Sequence, residues 1–460
     1  MPWFPLVTAQ GREGGGRRAA AAQVLCRSGS GGGGPPIAHL SNLKRLASGP
    51  RRARAGCPSA MPGRRACTRA IASILAAGLL AASAFAQPRT PASDAEVLAR
   101  VPPRAKDPAA RELAALRAAW RREPADAAAA SALARHCIGL FSTDGDPRHL
   151  GCAQAALGHW WAQRDAPPDV RTLRAVVLQF SHRFDAALAD LDAVHVADPQ
   201  SHEAWLWRAA ILLVQARYAD ARQACEKAAP LTTPLAAGGC LAQVDAATGA
   251  APAAATALRD ALARLRDAGR STVAERVWVL TRLAEIEERL GRAEAAEAAY
   301  REALALEARD FYLLAAYADF LLDQGRPAEV KVLLAGRERV DVLLLRLAIA
   351  AHRLRDPAAA QHQRELAARF DAARRLGDAL HEKEEARFLL EIAGDTGRAL
   401  ELARHNFTVQ REPADARVLL EAALAARDKA AAKPALEWLA ASRIEAPRLH
   451  DLADRLRRLP

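Results

Sequence analysis

From Val277 to Leu290 apolar side chains return at every third or fourth position, the spacing that gathers them on one face of an α-helix. Gly291 breaks the run, and a second amphipathic stretch extends from Arg292 to about Leu306. The pattern then repeats through residue 337, with Gly325 standing 34 residues after Gly291. Glycine suits both points, because a helix that ends in a tight turn needs backbone that only glycine adopts without cost. Small residues fall where the paired helices must approach each other: Ala284 and Ala318 in the first helices, Ala296 and Ala303 in the second.

A 34-residue helix-turn-helix with small residues at its eighth, twentieth and twenty-seventh positions is the unit of the tetratricopeptide repeat family, and residues 277–337 resemble it. The frame extends in both directions. Arg-Glu-Pro-Ala-Asp occurs at 122–126 and again at 411–415, each time just before an alanine-lined helix. Ala175 with Ala187, Ala209 with Ala221, Ala242 with Ala254, and Ala423 with Ala435 take the small positions of further units. Arg387 and Asn406 occupy positions where small residues are expected. The resemblance implies an all-α fold, an α-solenoid of about nine hairpins over residues 126–446. An N-terminal block (126–268) and a C-terminal block (277–446) are separated by an insertion at 269–276, the expected hinge, where Thr272 and Glu275 can cap the restart. Residues 87–125 form a linker and N-terminal helices, and 447–460 a capping helix.

Charge changes the picture only after it is located. The chain carries a formal +12, but twelve Lys and Arg against Glu13 alone lie before Gln87, leaving the remainder at +1. The nucleic-acid reading that a basic chain invites therefore loses its support. Residues 1–60 are rich in Gly, Arg, Ala and Pro and show no apolar period, so they are expected to be disordered or untranslated. From Met61 to Ala86 the chain reads as a secretory signal: a basic start, an apolar stretch, and Ala84-Phe85-Ala86 as a cleavage site before Gln87. The expected location is outside the cytoplasm, periplasmic or secreted.

Four cysteines follow the cleavage site, and each neighbouring pair is 15 residues apart across an inter-helix turn. Equal helical lengths on either side place the partners at similar height, and an oxidising compartment favours bonding. The expected bridges are Cys137 with Cys152 and Cys225 with Cys240, with metal binding beside His136 and His149 as the weaker reading.

No phosphate-cradling loop, His-Glu-x-x-His or CxxC motif occurs after residue 86, so neither a catalytic site nor a cofactor is expected. The resemblance implies ligand binding by the concave groove lined by the first helix of each unit. Mapping that face gives Trp278, Glu285, Glu288, Tyr312, Asp319, Asp323, His352 and Arg353, acidic in its centre, which suits a basic segment of a partner protein. Inner positions Thr172, Val176, Leu206 and Ala210 lack the Lys and Asn with which one subfamily holds C-terminal carboxylates. The expected function is a non-enzymatic protein-protein interaction scaffold of the cell envelope or secreted space. The alternative is an envelope sensor or carrier for a metal or small ligand, using Asp378, His381, Glu382 and Glu385.

Overall fold

The structure, a computed structural model, describes residues 108–266, 271–375 and 381–460, and among them every regular element is helical. The expected extension 1–60, the signal 61–86 with its Ala86 and Gln87 cleavage point, the linker up to 107, and residues 267–270, which include the first two of the insertion, lie outside the described residues. Helix α1 (Pro108–Arg122) leads into nine helical hairpins. They pair α2 (Ala127–Asp144) with α3 (Pro147–Ala156), α4 (Pro168–Phe180) with α5 (Phe184–Ala197), and α6 (His202–Val214) with α7 (Tyr218–Ala228). Next come α8 (Pro234–Ala247) with α9 (Ala251–Arg266), α10 (Val273–Arg289) with α11 (Ala293–Leu306), and α12 (Phe311–Asp323) with α13 (Pro327–Leu333). The last three pair α14 (Asp341–Leu354) with α15 (Ala359–Arg375), α16 (Glu382–Phe388) with α17 (Thr396–Val409), and α18 (Pro413–Ala426) with α19 (Lys433–Ser442). Helix α20 (Pro447–Arg457) follows and packs on α18 through Leu449, Leu452 and Leu456.

One turn recurs in all nine hairpins. Each has a left-handed residue between its two helices: Gly145, His182, Ala216, Gly249, Gly291, Gly325, Arg355, Gly394 and Arg427, with φ between 53° and 92°. In seven of them the amide after that residue donates to the carbonyl five residues before it, at 2.8–3.0 Å, as Arg292 does to Glu287. That bond satisfies a carbonyl the helix end leaves open. Where the residue is not glycine, as at His182 and Arg427, the fold tolerates about 1 kcal/mol of backbone strain to keep the turn. Alanine does the rest: Ala175, Ala187, Ala209, Ala221, Ala284, Ala296, Ala303, Ala318, Ala423 and Ala435 are completely buried at the helix contacts.

One hydrophobic core runs from Leu133 to Phe388 and a second from Ala386 to Leu456. The first passes unbroken across the insertion. There Thr272 and Glu275 form the expected reciprocal cap, and the Glu275 carboxylate also accepts from the Thr233 hydroxyl at 2.8 Å, tying the restart to the hairpin before it. Both expected cysteine bridges are formed, with Cα atoms 6.0 Å apart for Cys137–Cys152 and 5.6 Å for Cys225–Cys240. The first joins the helices of one hairpin and the second joins α7 to α8, the next hairpin. His149 lies 3.0 Å from Asp144, and with both thiols in a disulfide the weaker metal reading has no thiolate to use.

The C-terminal hairpins return to the N-terminal ones. The Arg411 amide donates to the Val214 carbonyl at 2.8 Å, the Ala251 amide to Glu445 at 2.9 Å, and the Trp438 indole to the Tyr218 hydroxyl at 3.0 Å. Gln410 meets the His182 ring at 3.1 Å. The inner helices thereby surround a chamber instead of lining an open groove. Among the described residues no helix is long and apolar enough to cross a membrane.

Candidate functional site

The chamber has a volume of about 870 Å³ and is partly open. That lies within the range of small-molecule and peptide side-chain sites. Of the eight residues expected on the concave face, Glu285, Glu288, Tyr312, Asp319 and Asp323 line it, because they project from the inner faces of α10 and α12. Three do not. Trp278 is 5% exposed, with its ring packed over Gly239 where a Cβ would collide with it. His352 is exposed outside the chamber, and the Arg353 guanidinium is held by the Leu322 carbonyl at 2.7 Å and Glu391 at 2.8 Å.

The expected acidic centre is corrected by later parts of the chain, which bring arginines to Asp319 and Asp323. Asp319 is bridged between Arg346 at 2.6 Å and Arg387 at 2.9 Å. Asp323 takes two bonds from Arg417, at 2.6 and 2.8 Å, and an ion pair from Arg448 at 2.5 Å. Glu285 pairs with Arg282 at 2.8 Å and accepts from the Tyr312 hydroxyl at 2.6 Å, while the Arg282 guanidinium lies 4.6 Å over the Tyr312 ring. Among the described residues, ten Arg and Lys against seven Asp and Glu line the chamber. It is a cationic chamber with a neutralised acidic face.

Burial and charge tune these groups in opposite directions. Burial alone would raise the Asp319 carboxyl, but the two guanidiniums outweigh it and hold the group well below the usual carboxylate range. Glu288 has no such partner. Burial, reinforced by Asp323 and Asp319, pushes it up to about 8, so it is largely protonated at neutral pH and faces the Tyr300 hydroxyl at 3.0 Å. Its folded pKa lies above its unfolded value, so the chain loses stability as pH rises from about 4.5 towards 8. We therefore expect Glu288→Gln to melt near wild type at pH 5 and to be more stable by on the order of 3 kcal/mol at pH 9. Thermal melts followed by circular dichroism at the two pH values check this; equal differences at both would contradict it. Elsewhere in the chamber, burial and the Lys383 ammonium keep the His182 ring neutral, its pKa lowered to about 4.

Several chamber residues escaped the sequence mapping. Arg387 was visible only as an outsized residue at a small-residue position, and its size is explained by its reach to Asp319, 68 residues earlier. Asn406, the other exception, is buried and donates to Asp415 at 3.0 Å. His182, Arg417 and Arg448 carried no local signal, because they reach the chamber only through closure. The patch proposed for metal does not converge. Asp378 lies outside the described residues, Glu382 meets His405 at 2.6 Å, Glu385 pairs with Arg374, and His381 lines the chamber. Among the described residues no three His, Cys, Asp or Glu side chains are grouped to hold a metal ion.

No protein-family model matches the chain, and no curated protein matches its sequence. Solved structures with similar folds include the APC/C heterotetramer Cut9–Hcn1, at 18% identity over 68% of this chain and 62% of that one, with a TM-score of 0.37. The chain thus spans about three fifths of that relative's length. A tetratricopeptide repeat protein from Parabacteroides merdae ATCC 43184 is similar at 14% identity over 67% of this chain and 90% of that one, TM-score 0.24. The tetratricopeptide domain of P58(IPK) is similar at 15% identity over 71% and 98%, TM-score 0.21. These are distant likenesses, and the nine hairpins with their common turn are what define the tetratricopeptide-like solenoid here.

Proposed function

We propose that the chain is a non-enzymatic protein-protein interaction scaffold, exported to the envelope or secreted space and fixed there by its two disulfides. The observation that carries this reading is the acidic inner face of α10 and α12, where Asp319 and Asp323 bind guanidinium groups delivered from at least 27 residues away. A surface that recognises its own distant arginines can recognise those of a partner. Arg448 is half exposed and Arg417 is a fifth exposed, so a basic segment of a partner can replace them on Asp323 without opening the core. The charge pairs supply specificity, and the exchange of one ion pair for another costs little net free energy.

Crosslinking pull-down from the native envelope tests it. Arg417→Gln with Arg448→Gln releases Asp323 and is expected to increase recovery of the partner severalfold; Asp319→Asn with Asp323→Asn is expected to lower it by at least as much. Unchanged recovery in both variants would remove the acidic face from the reading.

The chamber itself favours a second reading, a carrier or sensor of a small ligand. Its volume and its closure by the C-terminal hairpins suit a compact molecule better than an extended segment.

A further inference from the structure

Arg289 ends helix α10 with its guanidinium in the chamber, and its Nε is buried without a hydrogen-bond partner. Arginine cannot shed its proton to escape the cost of such a site. The carboxylates whose charge reaches it are Glu285 and Glu445. Both are already engaged: Glu285 by Arg282 and Tyr312, Glu445 by the Ala251 amide at 2.9 Å. Among the described residues nothing forms an ion pair with Arg289.

A second cation stands nearby. Arg411 is anchored through its backbone, where its amide donates to Val214, while its Nε makes only a 3.4 Å bond to the Phe407 carbonyl. Arg289 and Arg411 both act on the Tyr218 phenol. That hydroxyl accepts from the Trp438 indole at 3.0 Å, which leaves its own proton to donate into the chamber. Two guanidiniums and a phenol hydroxyl, all hydrogen-bond donors, therefore face one region, at the seam where the C-terminal hairpins meet the N-terminal ones. Beside them the wall is apolar, with Leu213, Ala246, Ala247 and Ile286, and further round the chamber Phe141, Phe180 and Phe311 form an aromatic cluster with centroid spacings of 5.3 and 5.4 Å.

We infer that this end of the chamber binds an amphipathic small-molecule anion, its oxyanion head on Arg289, Arg411 and the Tyr218 hydroxyl and its apolar body along the Leu213 to Phe311 wall. The inference rests on the carrier reading and names its ligand class. Oxyanions suit guanidinium donors because each guanidinium offers paired N–H groups to two oxygens. Closure of the two ends on the head also makes the bound state depend on the seam, so a ligand there stabilises the closed chain by mass action.

The test is titration calorimetry of the oxidised protein with three twelve-carbon probes below their micellar concentrations: dodecanoate, dodecyl phosphate and dodecyltrimethylammonium. Both anions are expected to bind at least tenfold tighter than the cation, and the tighter of the two identifies the head group as carboxylate or phosphate. Arg289→Met with Arg411→Met is expected to weaken anion binding at least 30-fold and leave the cation unaffected, and Arg289→Lys with Arg411→Lys to recover part of the loss. Should the double Met variant melt lower than wild type, Arg411→Met alone, at an exposed side chain, is expected to weaken anions about fivefold. Equal binding of anions and cation, or of wild type and double variant, would overturn the arginine site while the carrier reading survives. Failure of all three probes to bind would overturn both.

Discussion

Asp319→Ala is expected to lower the stability of the folded chain by about 3 kcal/mol, one of the two largest effects of a small change that the structure implies. The carboxylate stands between Arg346 and Arg387, whose side chains are 8% and 12% exposed. Its removal leaves two nearly buried guanidiniums facing each other with no charge between them, and neither can deprotonate. Replacing Arg387 as well, in Asp319→Ala with Arg387→Met, is expected to recover a good part of the loss, which separates repulsion from lost packing. Because the folded carboxyl is held below its ordinary value of about 4, its contribution is fully present above that value and disappears as pH falls through the lower folded pKa. Urea unfolding of both variants at pH 7 and of wild type and Asp319→Ala at pH 3 provides the comparison. A loss of less than 1 kcal/mol at pH 7 would show that the bridge contributes little.

Breaking the two disulfides is the second large effect. Each closes a 15-residue loop, and each is expected to contribute about 3 kcal/mol by restricting the unfolded chain. The pair variants Cys137→Ala with Cys152→Ala and Cys225→Ala with Cys240→Ala isolate them. The second is expected to affect the chamber more, because it fixes α7, which carries Tyr218, to α8, which carries Gln243, Ala246 and Ala247. Denaturant midpoints measure the cost, and thiol titration of protein from its native compartment is expected to find none of these four sulfurs free until a reductant is added. Four free thiols there would remove both the bridges and the export they accompany.

Much of the architecture was legible in the amino-acid order because a helical repeat is a local object. Apolar spacing fixes each helix face, alanine fixes the crossings, and equal segment lengths around a turn fix which cysteines meet, all within 34 residues or so. Even so, four of the nine turns hid themselves: His182, Ala216, Arg355 and Arg427 adopt the left-handed turn without the glycine that would announce it. Their conformation is imposed by the packing of the helices on either side.

The inner face was legible as a set of residues but not as a charge. Glu285, Glu288, Tyr312, Asp319 and Asp323 could be placed on it through the resemblance to the repeat family, and they line the chamber. Its cationic balance could not, since Arg387 and Arg417 come from later hairpins and Arg448 from α20, and the Trp438 to Tyr218 bond spans 220 residues. Small rotations from one repeat to the next decide whether a solenoid stays open or closes on itself, and no local pattern records their sum. The sequence by itself determined the hairpins, their number and their staples, because those depend on neighbours along the chain. The tertiary structure alone decided that an acidic groove becomes a cationic chamber with Arg289 unpaired among the described residues, because that depends on where the two ends of the array meet.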